Sequence, residues 1–198
     1  MKSIDTAYYK KGYSYLCGID EAGRGPWAGP VYCAAVILPQ NHDIKGIDDS
    51  KKLSEKKREL LYDQIIDTAL SYSVISISPK EIDTTDILKA TKKGMQKAVQ
   101  SLGITPDILL LDAINISVPE ILQINLIKGD ARSEAIAAAS ILAKVSRDRY
   151  MKKIHKKYPQ YNFEVHKGYG TKEHLKLLTK HGASPIHRLS FRPVQNLL

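Results

Sequence analysis

Three aspartates, Asp20, Asp112 and Asp130, each close an apolar run or stand just beyond one. The runs, 13–19, 108–111 and 122–127, are short and rich in β-formers, as strands are. In an open α/β sheet, ligands gather outside the carboxyl ends of parallel strands. Carboxylates delivered there from separate strands suit hard cations such as Mg²⁺ or Mn²⁺. Glu21 adds a fourth carboxylate. Neighbours on a regular strand face opposite sides, so Asp20 and Glu21 serve one site only if the strand ends or bulges there. Gly23 follows closely enough to allow it. Any one of these acids taken alone reads better as a turn or cap residue. Three of them in a basic chain favour a metal site.

Other chemistries find no support. The glycines of the 20–30 loop lack the Gly-Lys-Ser/Thr ending of a triphosphate cradle. No serine or cysteine stands in a nucleophile-elbow or Cys–His context. His166, His174, His181 and His187 are 8, 7 and 6 residues apart, which is not zinc-ligand spacing. Cys17 and Cys33 lie in apolar segments and read as core residues of adjacent strands.

The elements that must position the acids follow from periodicity and breakers. Strands are expected at 13–19, 31–38, 72–78, 108–111 and 122–127. The link 20–30 holds three glycines and two prolines, a shaped loop in which backbone can approach a ligand closely. Ser54 caps a helix running to about Ala69. Residues 86–102 form a helix with Gly103 as its stop. Residues 131–157 form a long helix whose alanine-rich start suits close packing, and 171–181 a shorter one closed by Gly182. The early strands, joined by short loops, should pair antiparallel, and the later ones return after helices. The expected fold is α/β, a mixed five-stranded sheet flanked by helices. The 198 residues are expected to form one domain, with a basic helical section from about residue 141.

Charge is distributed unevenly. The net charge is +9, yet residues 141–198 hold 13 basic and 3 acidic residues, and residues 1–140 are close to neutral. That asymmetry points to a polyanionic partner. With 43% hydrophobic residues the chain is neither disordered nor fibrous. No apolar run approaches a membrane span, the first 13 residues have no apolar signal core, and two cysteines make no disulfide framework. A reduced, cytoplasmic protein is the expectation.

The run Gly18-Ile19-Asp20-Glu21-Ala22-Gly23-Arg24-Gly25-Pro26-Trp27-Ala28-Gly29-Pro30-Val31 closely resembles the signature of ribonuclease HII, the type 2 ribonuclease H family. Asp49-Ser50-Lys51-Lys52-Leu53, Leu111-Asp112-Ala113 and Lys128-Gly129-Asp130-Ala131-Arg132-Ser133 resemble further family motifs. So do Ala143-Lys144-Val145-Ser146-Arg147-Asp148-Arg149, His166-Lys167-Gly168-Tyr169-Gly170 and His187-Arg188-Leu189-Ser190-Phe191. Trp27 and Glu134 depart from the commoner pattern, where leucine and a small residue are frequent.

The resemblance implies a ribonuclease H fold and a four-carboxylate site, Asp20, Glu21, Asp112 and Asp130, holding two divalent cations, Mn²⁺ or Mg²⁺. It implies an endonuclease that hydrolyses the RNA strand of RNA–DNA hybrids and cuts at single ribonucleotides embedded in duplex DNA, leaving 5′-phosphate and 3′-hydroxyl ends. It also implies that backbone groups of Gly23, Arg24 and Gly25 read the ribose 2′-hydroxyl, the atom that separates RNA from DNA, while Tyr169 packs on the adjoining sugar. Lys51, Lys52, Ser133, Ser140, Lys144 and Arg147 are the candidates for backbone phosphates, Ser133 because it opens a helix beside Asp130. The expected state is a monomer with no membrane partner. The last residues, Gln195, Asn196, Leu197 and Leu198, resemble a truncated sliding-clamp-binding peptide, although the favoured reading of such an end is an apolar terminus packed on the domain. Two alternatives stand beside this reading: an enzyme like ribonuclease HIII, and a catalytically silent nucleic-acid-binding module on the same fold.

Overall fold

The computed structural model describes residues 3–112 and 114–198. Ala113, which ends one of the motifs above, lies outside the described residues, as do Met1 and Lys2. In chain order the elements are α1 (Ser3–Lys10), β1 (Leu16–Ala22), β2 (Val31–Ile37), α2 (Glu55–Thr68), β3 (Ser71–Ile77), α3 (Pro79–Asp83), α4 (Ile87–Gln100), β4 (Ile108–Asp112) and β5 (Leu122–Leu126). They continue with α5 (Gly129–Arg132), α6 (Glu134–Lys157), a 3₁₀ turn (Pro159–Tyr161), α7 (Phe163–His166), α8 (Lys172–His181) and α9 (Arg192–Gln195).

The sheet order is β3-β2-β1-β4-β5. The β1–β2 and β2–β3 pairs are antiparallel, β1–β4 and β4–β5 parallel. This is the mixed five-stranded sheet expected from the sequence. One face packs against α6 and α2, where Ala34, Val36, Leu61, Ile65 and the α6 residues Ala137, Ala138, Ile141 and Leu142 are buried. The other face packs on α4, where Cys17, Ile19, Cys33, Leu109 and Leu111 meet Met95, Ala98 and Val99. Both cysteines are free and buried, and burial raises both thiols, that of Cys17 to about 12.

Small residues bring α6 onto the sheet. A Cβ at Gly18 of β1 would stand 2.0 Å from the Ala135 carbonyl carbon, so only glycine admits this approach. Among the described residues no helix is long and apolar enough to cross a membrane.

The long helix expected over 131–157 is divided. Ser133 is extended (φ −126°, ψ 132°) and separates α5 from α6. Its hydroxyl accepts from the Ile136 N–H at 3.2 Å, as a helix cap does, and donates to Asp5 Oδ1 at 2.6 Å. Asp5 Oδ2 accepts from the Glu134 N–H. A carboxylate from α1 therefore sits on the α6 N-terminus, where the helix dipole favours negative charge. Helix α1 packs Ile4, Tyr8 and Tyr9 on Leu16 and Ile108, a packing that the polar N-terminal sequence did not announce.

Beyond α6 the chain folds back over the 23–30 loop. Ala28, Met151, Tyr161, Phe163 and Ile186 form a small core there, and Ala28 bridges to His187. Asp83 of α3 accepts from the Leu189 and Ser190 N–H groups at 2.9 and 3.0 Å and pins the last segment.

Candidate active site

The two central strands run parallel, with Ile19 opposite Leu111, so the next residues, Asp20 and Asp112, lie side by side at the carboxyl ends. After β5 the chain turns through Lys128, whose φ of 56° is left-handed, into α5. The Gly129 N–H donates to Asp112 Oδ1 at 3.0 Å, which ties the third acid to the segment carrying Asp130. Glu21 lies within electrostatic reach of Asp20 and Asp112 although the condition set for it, an end or bulge of the strand, is not met. Strand β1 neither ends nor bulges at Asp20; it keeps pairing with β2 through Ala22, while its ladder with β4 stops at Ile19.

The four acids share one electrostatic environment. The Asp20 carboxyl is raised well above the usual range, first by burial, then by the charge of Glu21, with Asp112 and Asp130 adding to it. Burial also raises Glu21, against the pull of Arg24, whose Nη1 lies 3.4 Å from Glu21 Oε1. Glu21 Oε2 is buried with no hydrogen-bond partner. Burial raises Asp130, helped by Asp49 and Asp112. Burial pulls the Lys51 ammonium down, but Asp49, Asp130, Asp20 and Asp112 together outweigh it and raise it. Among the described residues no three histidine, cysteine, aspartate or glutamate side chains are already arranged to hold a metal ion.

Two cavities meet at Lys51. One, of about 560 Å³, is lined by Asp49, Lys51, Lys52, Asp112, Lys128 and Asp130. The other, of about 200 Å³, is lined by Glu21, Gly23, Arg24, Ser50, Lys51, Lys144 and Tyr169. Asp49 is a fifth acid that sequence reasoning left without a role. Its Oδ1 accepts from the Lys51 N–H at 2.9 Å, a side-chain turn that carries Lys51 toward the acids.

The 23–30 loop is held from inside by two buried arginines. Arg188 donates to Gly23 O (2.6 Å), Arg24 O (2.8 Å) and Gly29 O (2.9 Å). Arg147 donates to Ala28 O and Pro30 O, both at 3.1 Å. Burial holds Arg188 down to about 9. Gly23 has φ +96° and lies against Arg147. Tyr169 is 43% exposed, so its ring is available to a ligand; the Arg147 guanidinium lies 5.7 Å from the ring centroid.

Three expected phosphate ligands are corrected by burial. Ser133 is fully buried and its hydroxyl serves Asp5 and the α6 cap. Ser140 is 3% exposed and its hydroxyl donates to Ala137 O within α6. Arg147 is fully buried among loop carbonyls. Lys51, Lys52 and Lys144 line the cavities, Lys52 beside Asp48 at 3.5 Å and Lys144 on Asp148 at 2.8 Å. The role of Arg188 was missed, because a pattern of residue types does not show which arginine the fold encloses.

The sequence model of the Ribonuclease HII family matches residues 17–194. The chain belongs to the ribonuclease HII family. It is 54% identical over 187 residues to Ribonuclease HII of Desulfitobacterium hafniense, covering 94% of this chain and 72% of that one. The ribonuclease H2 structure from Pyrococcus horikoshii superposes with a TM-score of 0.79 at 28% identity, covering 92% of this chain and 96% of that one. The RNase HII of Archaeoglobus fulgidus, solved as a complex with PCNA, gives 0.77 at 26% identity over the same shares. Bst-RNase HIII, solved with Mn²⁺, gives 0.73 at 16% identity, covering 96% of this chain and 71% of that one; this likeness shows the shared ribonuclease H fold. Ribonuclease HII enzymes are hydrolases that cleave RNA in RNA–DNA hybrids, and the chain is an enzyme of that class.

Proposed function

We propose that this ribonuclease HII cuts endonucleolytically both in RNA–DNA hybrids and at single ribonucleotides embedded in duplex DNA, with divalent cations held by Asp20, Glu21, Asp112 and Asp130. The observation that carries the proposal is that Asp112 and Asp130 line one cavity while Glu21, Gly23, Arg24 and the exposed Tyr169 line another that shares Lys51 with it, with Asp20 within the electrostatic reach of the other three acids. The donor set fits Mn²⁺ or Mg²⁺. All four side chains offer hard oxygens. Glu21 Oε2 is a buried acceptor with no hydrogen-bond partner, and burial together with neighbouring carboxylates raises Asp20, Glu21 and Asp130. The Mn²⁺ of Bst-RNase HIII is bound by a protein of the same fold.

When bound, a pair of such cations supplies an activated water and stabilises the leaving 3′-oxygen. The chain's own groups do the rest. Asp112 is oriented by the Gly129 N–H and Asp130 by the Ala131 N–H at 2.8 Å. Lys51 and Lys144 steady the phosphates at the rim. Attack on phosphorus with departure of the 3′-oxygen leaves 5′-phosphate and 3′-hydroxyl ends. The Gly23 and Arg24 carbonyls are turned inward onto Arg188, so the 2′-hydroxyl is read by the outward groups of this loop. Tyr169 lies against the following sugar, where a second 2′-hydroxyl would crowd the ring. Selection of one oxygen is effective because a site built to pair it is left unpaired by the deoxy analogue. Cleavage of duplex DNA carrying one ribonucleotide, with Mn²⁺ or Mg²⁺ and with all-DNA duplex as control, tests this; absence of cutting at the ribonucleotide would refute it.

The chain end carries a partner proposal. Val194 is buried, while Leu197 and Leu198 are 39% and 73% exposed, so the apolar pair is not packed away. We infer that Gln195, Leu197 and Leu198 dock on a sliding clamp, as the Archaeoglobus relative is found with PCNA. Deleting 195–198 should abolish clamp capture, and capture at the full level would end the idea.

A further inference from the structure

Three histidines beside the site serve no step above. His166, His174 and His187 are 6%, 0% and 2% exposed, and their rings pack together, His166 on His174 at 4.3 Å between centroids and 15° between planes. Their hydrogen bonds fix every proton. His174 Nδ1 lies 2.9 Å from Tyr169 O, and a carbonyl only accepts, so Nδ1 carries the hydrogen. His174 Nε2 is then a bare acceptor, 3.0 Å from His187 Nε2, which must donate. His187 Nδ1 in turn accepts the Ser184 N–H at 2.9 Å, and a backbone amide only donates. The relay therefore runs in one direction, from Ser184 through His187 and His174 to the carbonyl of Tyr169. Burial holds His174 and His187 down to about 4, which keeps both neutral at neutral pH.

The same segment is clasped from other sides. The Tyr169 N–H donates to His166 O and the Gly168 N–H to His166 Nδ1. The Trp27 N–H donates to Gly168 O at 2.8 Å, and the Trp27 ring lies 5.4 Å from the His174 ring. A Cβ at Gly170 would stand 2.2 Å from the Trp27 ring. Trp27, which departs from the common family residue, thus joins the 23–30 loop to the Tyr169 segment.

We propose that the Ser184–His187–His174 relay fixes the backbone of Tyr169 beside the 23–25 loop, making His174 and His187 positioning residues for choosing a ribose–deoxyribose junction. The proposal rests on the reading of Tyr169 given above. The relay touches neither the four acids nor the lysines of the rim, so its loss should disturb selectivity before it disturbs hydrolysis.

The test compares kcat/KM on duplex DNA with one ribonucleotide against a uniform RNA–DNA hybrid. In His187→Leu the donor is gone, and the ratio should fall about tenfold while hybrid cleavage stays within about threefold of wild type. In His187→Gln an amide N–H replaces the imidazole donor, and the ratio should return to within about threefold. Emission of Trp27, the single tryptophan, reports whether each variant keeps the wild-type packing. A folded His187→Leu with the wild-type ratio, or equal loss in the Leu and Gln variants, would overturn the relay. Nitrogen-15 NMR of the wild-type protein tests it without any variant: His174 should carry its proton on Nδ1 and His187 on Nε2, and the opposite tautomers would also overturn it. Tyr169→Ala separates the two layers. An unchanged ratio there removes the reading of Tyr169 itself, whereas a lowered ratio there with an unchanged one in His187→Leu removes only the relay.

Discussion

Gly23 and Gly25 flank Arg24, yet a methyl group at the two positions meets different surroundings. At Gly23 it would sit 2.0 Å from Arg147 Nε with φ at +96°, so strain and collision add. Gly23→Ala should lower stability by about 1–3 kcal/mol in a urea melt. At Gly25 the nearest atom is Tyr169 Cε1 at 3.9 Å, an ordinary van der Waals distance. Gly25→Ala should melt like wild type and lose about tenfold or more of its cleavage at a single ribonucleotide, because the methyl group stands where the sugar must approach. Equal loss of stability in both variants would show that the loop, not the ligand, needs the second glycine. The acids were legible at this scale because strand ends and breakers mark them. The phosphate ligands were less so. Ser133 looked like an anion-binding helix start, but its hydroxyl is taken by Asp5, a partner 128 positions away that no local pattern reveals.

The section that includes α7, α8 and the 182–188 loop is stabilised by neutral imidazoles, and this sets a pH dependence. His174 and His187 have folded-state values of about 4 against an ordinary 6.5. Between those limits the unfolded chain binds protons that the folded chain refuses, so stability falls as pH drops from 6.5 toward 4. The raised carboxyls of Asp20, Glu21 and Asp130 act in the opposite sense, since the folded chain takes up those protons first. Subtracting the urea stability of His187→Gln from that of wild type isolates one histidine. The difference should shrink by about 2 kcal/mol between pH 7.5 and pH 5; a difference constant over that range would contradict the neutral, buried state. Elements with a clear period were readable from the sequence: four of the strands, α2, α4 and α8 lie where alternation, apolar spacing and caps put them, while β1 lies three residues later than its apolar run suggested, at Leu16–Ala22. What escaped depends on remote partners. The break at Ser133 comes from Asp5, and α1 is ordered by Leu16 and Ile108, which its own polar sequence does not suggest. The short α7 and α9 are held by burial of Phe163 and Val194 rather than by any helical period.

Over the whole molecule, the basic excess beyond residue 141 is only partly available to a polyanion. Helix α6 crosses that boundary with its first half in the core, and on its outer side Arg149 pairs with Glu59 at 2.5 Å and Lys152 with Glu55 of α2. Lys51, Lys52 and Lys144 instead rim the cavities. Binding to duplex should weaken with salt, the slope of log K against log salt being about −0.9 for each phosphate that the protein neutralises. Alanine at Lys51, Lys52 and Lys144 together should flatten that slope, whereas Lys152→Ala should barely change it; a triple variant with the wild-type slope would place the duplex on another face. The central claim is that four acids at the strand ends carry the hydrolysis. Asp112→Asn tests it most directly, assayed with Mg²⁺ on duplex DNA containing one ribonucleotide, with duplex binding and melting followed alongside. Turnover should fall by about a thousandfold, with binding within about threefold of wild type and a melting temperature no lower, since a negative charge has left a crowded acidic site. An Asp112→Asn enzyme that cuts at a near-normal rate would contradict the account.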